Sequence, residues 1–124
     1  MKLRIKGNTL RLRVSRSELE RFLAQNRIEE TTHFSPLPEA KLTYALESSP
    51  AATSVRYSPQ EVAIVLSTDA VKRWADEGEV GVYDRIDIGP AGILEIAVEK
   101  DFACLDRSDE DNRDTFANPH TCAV

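Results

Sequence analysis

The chain lacks any long apolar run. Its opening, Met1-Lys2-Leu3-Arg4-Ile5-Lys6, alternates charge with apolar side chains, where a secretory signal needs an unbroken apolar segment. No stretch is long and apolar enough to cross a bilayer as a helix. The expected location is therefore the cytoplasm. Cysteine is scarce: Cys104 and Cys122 are the two present, and no C-x-x-C spacing occurs. No nucleophile elbow, Walker loop, dinucleotide fingerprint or H-E-x-x-H is found, so no enzyme signature stands out. Aromatic residues make up 6% of the chain. None interleaves with the basic residues of the first strands, so no base-stacking surface is expected there.

What is present is the composition of a soluble globular protein. The 124 residues suit one domain, with 41% hydrophobic and 30% charged. The net charge of -5 is unevenly spread. Residues 1–47 carry nine Lys/Arg against six Asp/Glu, residues 48–100 five against nine, and residues 101–124 two against six. The acidic balance argues against a general nucleic-acid binder but leaves room for a local basic face.

The main organising feature is an internal match. Arg4 to Glu47, moved 52 positions, falls on Arg56 to Glu99 without a gap. Leu10, Leu12 and Val14 meet Val62, Ile64 and Leu66; Phe22 meets Trp74; Ile28 meets Val80; Phe34 meets Ile86. The expected fold is a strand-rich α+β domain. It would be a tandem β-β-α-β-β duplication (about 1–48 and 53–100) with pseudo-twofold symmetry, forming one shared sheet or small barrel. Each copy alone is too short for more than a thin core. Residues 101–124 have no counterpart and read as an irregular acidic C-terminal tail. Within it, Asp106 to Asp114 is a solvated charge run, with Phe102, Leu105 and Phe116 as anchors.

In chain order, Lys2–Lys6 and Thr9–Val14 alternate as half-buried strands around a Gly7-Asn8 turn. Ser15-Arg16-Ser17-Glu18 is a capping box opening a helix with Leu19, Phe22 and Leu23 on one face. That helix ends near Gln25-Asn26, and strands follow at Arg27–Phe34 and Lys41–Glu47. The second copy repeats this order, with Gly78 expected to close its helix in the left-handed conformation. Arg11 and Arg13 become Ala63 and Val65 in it, so Glu61–Leu66 reads as a central, covered strand.

Gly7-Asn8-Thr9-Leu10-Arg11-Leu12-Arg13-Val14, followed by a capped helix and a strand, resembles the swapped-hairpin antitoxin and transition-state-regulator family. Glu77-Gly78-Glu79-Val80 matches that family's Gly-containing turn. Ser15 stands where its helix-opening Pro is common, and Gln25-Asn26-Arg27-Ile28 replaces the turn in the first copy. The resemblance implies dimeric DNA binding, placed on Arg4, Lys6, Arg11 and Arg13. Across the whole chain, Arg4-Ile5-Lys6-Gly7-Asn8-Thr9-Leu10-Arg11 and Val98-Glu99-Lys100-Asp101-Phe102-Ala103-Cys104-Leu105 are similar to a family of uncharacterised small bacterial proteins. That implies a bacterial cytoplasmic protein with no known activity.

Three chemistries are available. Arg4, Lys6, Arg11 and Arg13 can meet phosphates, or can be the solvated face of an edge hairpin. Cys104, His120 and Cys122 are zinc-type ligands, with a fourth from His33 or an Asp, although two cysteines can also pair as a disulfide. The acidic run has neither the central Gly nor the closing Glu of a calcium loop. The expected function is a non-enzymatic binding or interaction protein with a protein partner. The alternatives are a DNA-binding regulator acting through the first copy, and a zinc protein or enzyme using the tail ligands.

Overall fold

A computed structural model describes residues 1–76, 78–102 and 113–116. The elements run β1 (Lys2–Lys6), β2 (Thr9–Val14), α1 (Arg16–Gln25), β3 (Arg27–His33), β4 (Lys41–Ser49), β5 (Ser54–Ser58), β6 (Glu61–Ser67), α2 (Thr68–Ala75), β7 (Gly81–Asp87) and β8 (Ile93–Lys100). A short 3-10 turn, Gly89–Ala91, joins the last two strands.

Local chemistry accounts for the helix boundaries. The Ser15 hydroxyl accepts from the Glu18 amide (3.3 Å), and the Ser15 amide donates to the Glu18 carboxylate (2.8 Å), so the capping box is complete. Asn26 ends α1 in the left-handed region, φ 61°. The expected left-handed closure of α2 by Gly78 does not occur. Asp76 follows the helix in an extended conformation, φ -63° and ψ 142°, and its amide donates to Arg73 O at 3.3 Å.

Among the described residues the strands form two open four-stranded sheets, ordered β1-β2-β8-β7 and β3-β4-β6-β5. The single shared sheet or small barrel expected from the sequence is not formed. The sheets end in β1 and β7, and in β3 and β5, so neither closes on itself. Each half of the chain gives one hairpin to each sheet. The hairpins meet through parallel pairs, β2 with β8 and β4 with β6. Each helix carries the chain from one sheet to the other.

What is shared is the core. Leu10, Leu12, Val14, Ile96 and Val98 of one sheet merge with Ile28, Leu46, Ile64 and Leu66 of the other, and Leu19, Phe22 and Trp74 of the helices join them. Phe22 and Trp74 are each 1% exposed and face one another, ring centroids 6.4 Å apart at 56°. The Trp74 indole donates to Val80 O at 3.3 Å, so its polar atom is satisfied. Leu23, on the expected apolar helix face, is instead 45% exposed.

The pairings show where the ungapped match slips. Leu3 pairs with Leu12, and Val55 with Ile64; Leu12 pairs with Val98, and Ile64 with Leu46. These are displaced by 52 positions throughout. But Ile28 pairs with Leu46, while Val82, not Val80, pairs with Val98. Two extra residues precede β7, and the β7–β8 connection is shorter by two than the β3–β4 one. Phe34 accordingly lies in the loop after β3 and is 68% exposed.

Parts of the C-terminal segment dock on the domain. Phe102 and Phe116 form a bridge with ring centroids 6.1 Å apart. Asp114 is not merely solvated charge: its carboxylate accepts from the Ser17 amide (3.0 Å) and the Ser17 hydroxyl, at the N-terminus of α1. Its pKa is lowered, chiefly by the Ser17 hydroxyl hydrogen bond. Leu105 and the acidic residues Asp106, Asp109, Glu110 and Asp111 lie outside the described residues.

Two measurements check the shared core. Trp74→Ala should lower unfolding free energy by about 3–5 kcal/mol in urea denaturation, the cost of emptying a large aromatic site. Residues 1–50 expressed alone should show no cooperative thermal transition as a monomer, because half of each sheet is missing; a sharp transition would contradict the shared core.

Candidate basic sheet face

Strand alternation and register place the basic residues. On β1, Lys2, Arg4 and Lys6 point away from the core; on β2, Thr9, Arg11 and Arg13 do the same. Three rows then cross the sheet from β1 to β7: Lys2-Arg13-Glu99-Gly81, Arg4-Arg11-Ala97-Tyr83 and Lys6-Thr9-Glu95-Arg85. The predicted residues Arg4, Lys6, Arg11 and Arg13 therefore share one face. Arg85, which sequence reasoning did not single out, joins them from the far edge.

The cations are partly engaged. Arg11 Nε lies 3.0 Å and Arg13 Nε 3.9 Å from Glu99 Oε1, Arg85 lies 3.8 Å from Glu95, and Lys2 Nζ lies 2.9 Å from Asp101. The 3.0 Å Arg11 approach is not a well-aligned hydrogen bond, since Glu99 Oε1 has no hydrogen-bond partner of good geometry. It is an ion pair of modest strength on a half-exposed surface. Arg4 and Lys6 are exposed and form no ion pair with the described residues.

Tyr83 completes the face. Its hydroxyl donates to Glu99 Oε2 at 2.6 Å, and the residue is 59% exposed. A Cβ added to Gly81 would stand 3.2 Å from that hydroxyl and 2.7 Å from Val98 O. Glycine at 81 therefore lets the phenol lie along the strand. Burial and the Glu99 hydrogen bond push the Tyr83 pKa up to about 12, against the pull of Arg11 and Arg13. The hydroxyl stays protonated at neutral pH. Ala97, 7% exposed, floors an open cleft of about 610 Å³ between Arg11 and Tyr83, with Thr9, Arg85 and Glu95 around it. No aromatic interleaves with the charges of β1 and β2, but Tyr83 of β7 joins them on the same face. Tyr83 is far from Arg11 in sequence and reaches it through the β2–β8 pairing. Outward alternation of Gly81, Tyr83 and Arg85 was the available signal; which strands stood beside them was not.

The corresponding face of the other sheet is different. Glu47 accepts from both Arg27 and Arg56 (Arg56 Nη1 at 2.8 Å), and Glu61 and Glu29 extend the network. Beneath it Ala45 is 1% and Ala63 0% exposed. β6 is central, as expected, but its outer side is covered by these side chains rather than by another layer. Arg56, with Arg27, holds the Glu47 carboxyl below its ordinary range against the opposing effect of burial.

The tail ligand set cannot be placed: Cys104, His120 and Cys122 lie outside the described residues. His33 is exposed at the end of β3, and no described group of three His, Cys, Asp or Glu is arranged to hold a metal. No described helix is long and apolar enough to cross a membrane.

Residues 1–120 match a family of unknown function, DUF7009. The chain belongs to this family. No curated protein and no solved structure matches it. The family match spans both sheets, the basic face and residues 113–116.

Glu47 has a pH consequence with a definite sign. Its folded pKa lies below the ordinary value of 4.5, so its contribution is full above that pH and is lost as pH falls through the folded value. Glu47→Gln should lower the urea midpoint at pH 7, and the gap to wild type should close as pH falls below 4.5. A gap that is constant from pH 7 to pH 3 would contradict the assignment.

Proposed function

We propose that this protein is a non-enzymatic binding protein that takes a polyanionic partner on the outer face of the β1-β2-β8-β7 sheet. The carrying observation is the contrast between the two faces. Lys2, Arg4, Lys6, Arg11, Arg13 and Arg85 share one face with Glu95, Glu99 and Asp101, whereas Arg27 and Arg56 of the other are bound up by Glu29, Glu47 and Glu61. A patch with a net positive excess, six cations against three carboxylates with Arg4 and Lys6 outside those ion pairs, steers and holds an oppositely charged partner even on a globally acidic chain. A protonated Tyr83 and paired carboxylates suit recognition better than general-base or nucleophilic work.

A duplex-DNA regulator is the second reading, favoured by Arg4, Lys6, Arg11 and Arg13 lying together on one hairpin. We infer further that the chain is two copies of one β-β-α-β-β unit about a pseudo-twofold axis, in a bacterial cytoplasmic protein related to the swapped-hairpin regulators. Support comes from the 52-position pairings and from two matching clamps. Asn8 Nδ2 donates to Ala91 O (3.3 Å), as Gln60 Nε2 does to Glu39 O (2.7 Å). Asn8 O accepts from the Glu95 amide (2.9 Å), as Gln60 O does from the Thr43 amide (2.7 Å).

Heparin binding followed from about 50 to 500 mM salt tests the face, because neutralised polyanion charge appears as a linear fall of log affinity with log salt. The Arg4→Glu/Lys6→Glu double variant should bind at least tenfold more weakly, while Lys72→Glu on α2 should be near wild type. No retention at 50 mM salt, or equal loss for both variants, would overturn the reading.

A further inference from the structure

We propose that the same face binds single-stranded nucleic acid, stacking a base on Tyr83 above Ala97 while Arg4, Lys6 and Arg11 meet the flanking phosphates. The proposal rests on the polyanion reading and names its partner. The geometry is that of a prepared stacking platform. Gly81 leaves room for the phenol to lie along β7, and the bond to Glu99 Oε2 tethers its far end. Tyr83 as a residue is nonetheless 59% exposed, so surface remains for a planar group.

The space beside the ring is shaped for such a group. Ala97 leaves the middle row low, between the guanidinium of Arg11 and the ring of Tyr83, and the cleft holds about 610 Å³. Arg4 follows Arg11 in the same row, and Lys6 and Arg85 stand in the next. Bases stack on aromatic rings in a sequence-tolerant way while cations track the backbone. Glu95, at the cleft rim, can accept from an N–H on a base edge.

The alternatives fit less of the face. A duplex hides its base faces, leaving Tyr83 without a role. Four strands at about 4.8 Å spacing span about 14 Å, wider than a major groove of about 12 Å. An acidic peptide or a bare phosphate chain would use the cations and leave the platform idle.

Fluorescence anisotropy with a labelled 12-nucleotide oligo(dT) at 50 mM salt tests this on the full chain. Oligo(dT) should bind at least tenfold more tightly than an abasic strand of equal length, polyphosphate, poly-Glu or a 12-base-pair duplex. Tyr83→Ala should lose about tenfold or more, the range supported by stacking one base. Tyr83→Phe, which keeps the ring and loses the Glu99 bond, should stay within about threefold. Thermal denaturation reports whether each variant folds, and the abasic comparison needs no variant. If the abasic strand, polyphosphate, poly-Glu or duplex binds as well as oligo(dT), or folded Tyr83→Ala binds like wild type, stacking is wrong and the polyanion face stands. If none of the anions binds at 50 mM salt, both readings fall.

Discussion

The parallel pairing of β2 with β8 and of β4 with β6 is the constraint on which the rest depends. Parallel neighbours cannot be joined by a tight turn, so each parallel pair joins a hairpin from one half of the chain to a hairpin from the other. Neither half can assemble a sheet alone. The helices follow from the same constraint, because each must carry the chain from one sheet to the other, and their large side chains, Phe22 and Trp74, fill the space between. The link after β4 is short, and the Thr53 hydroxyl accepts from the Ser67 amide at 3.0 Å, tying that link to the exit of β6.

The same scaffold carries two different surfaces. Glu47 and Glu99 occupy corresponding places, 52 positions apart, on central strands β4 and β8. Around Glu47, Arg27 and Arg56 close in over the small residues Ala45 and Ala63. Around Glu99 the neighbour corresponding to Arg27 is Gly81, and a tyrosine hydroxyl takes up one carboxylate oxygen. One carboxylate thus organises a self-neutralised patch in one sheet, and a basic patch with an aromatic ring in the other. Replacing an arginine with a glycine beside a fixed acid changes both the charge and the relief of the face.

Much of this was legible in the residues. Alternation placed the strands to within a residue or two, Ser15 and Glu18 announced α1, and the 52-residue match placed Phe22 and Trp74 together in the core. Arg4, Lys6, Arg11 and Arg13 were correctly assigned to one outward side. What could not be read was anything that depends on neighbours. Strand side chains repeat every two residues, so a two-residue displacement leaves every inward position inward. Val80 and Val82 therefore fit the pattern equally well, and the slip at β7 is silent in the sequence. Tyr83 and Arg11 face one another across Ala97 of β8, a fact of sheet order rather than of periodicity. Asp114 looked like one more acid in a charged run until Ser17 stood beside it.

The placement of Arg11 and Arg13 on β2 also bears on the order in which the sheet is made. The partner of β2 is β8, which is made 86 residues later. At translation rates of roughly 5–20 residues per second, β2 waits about 4–17 s for its neighbour. Throughout that interval Leu10, Leu12 and Val14 sit on a strand with one unpaired edge, the kind of segment that recruits the wrong strand from another nascent chain. Positive charges alternating with those leucines and the valine make such mispairing costly. The arginines that colour the finished surface are thus placed to act earlier, as guards of an unfinished sheet.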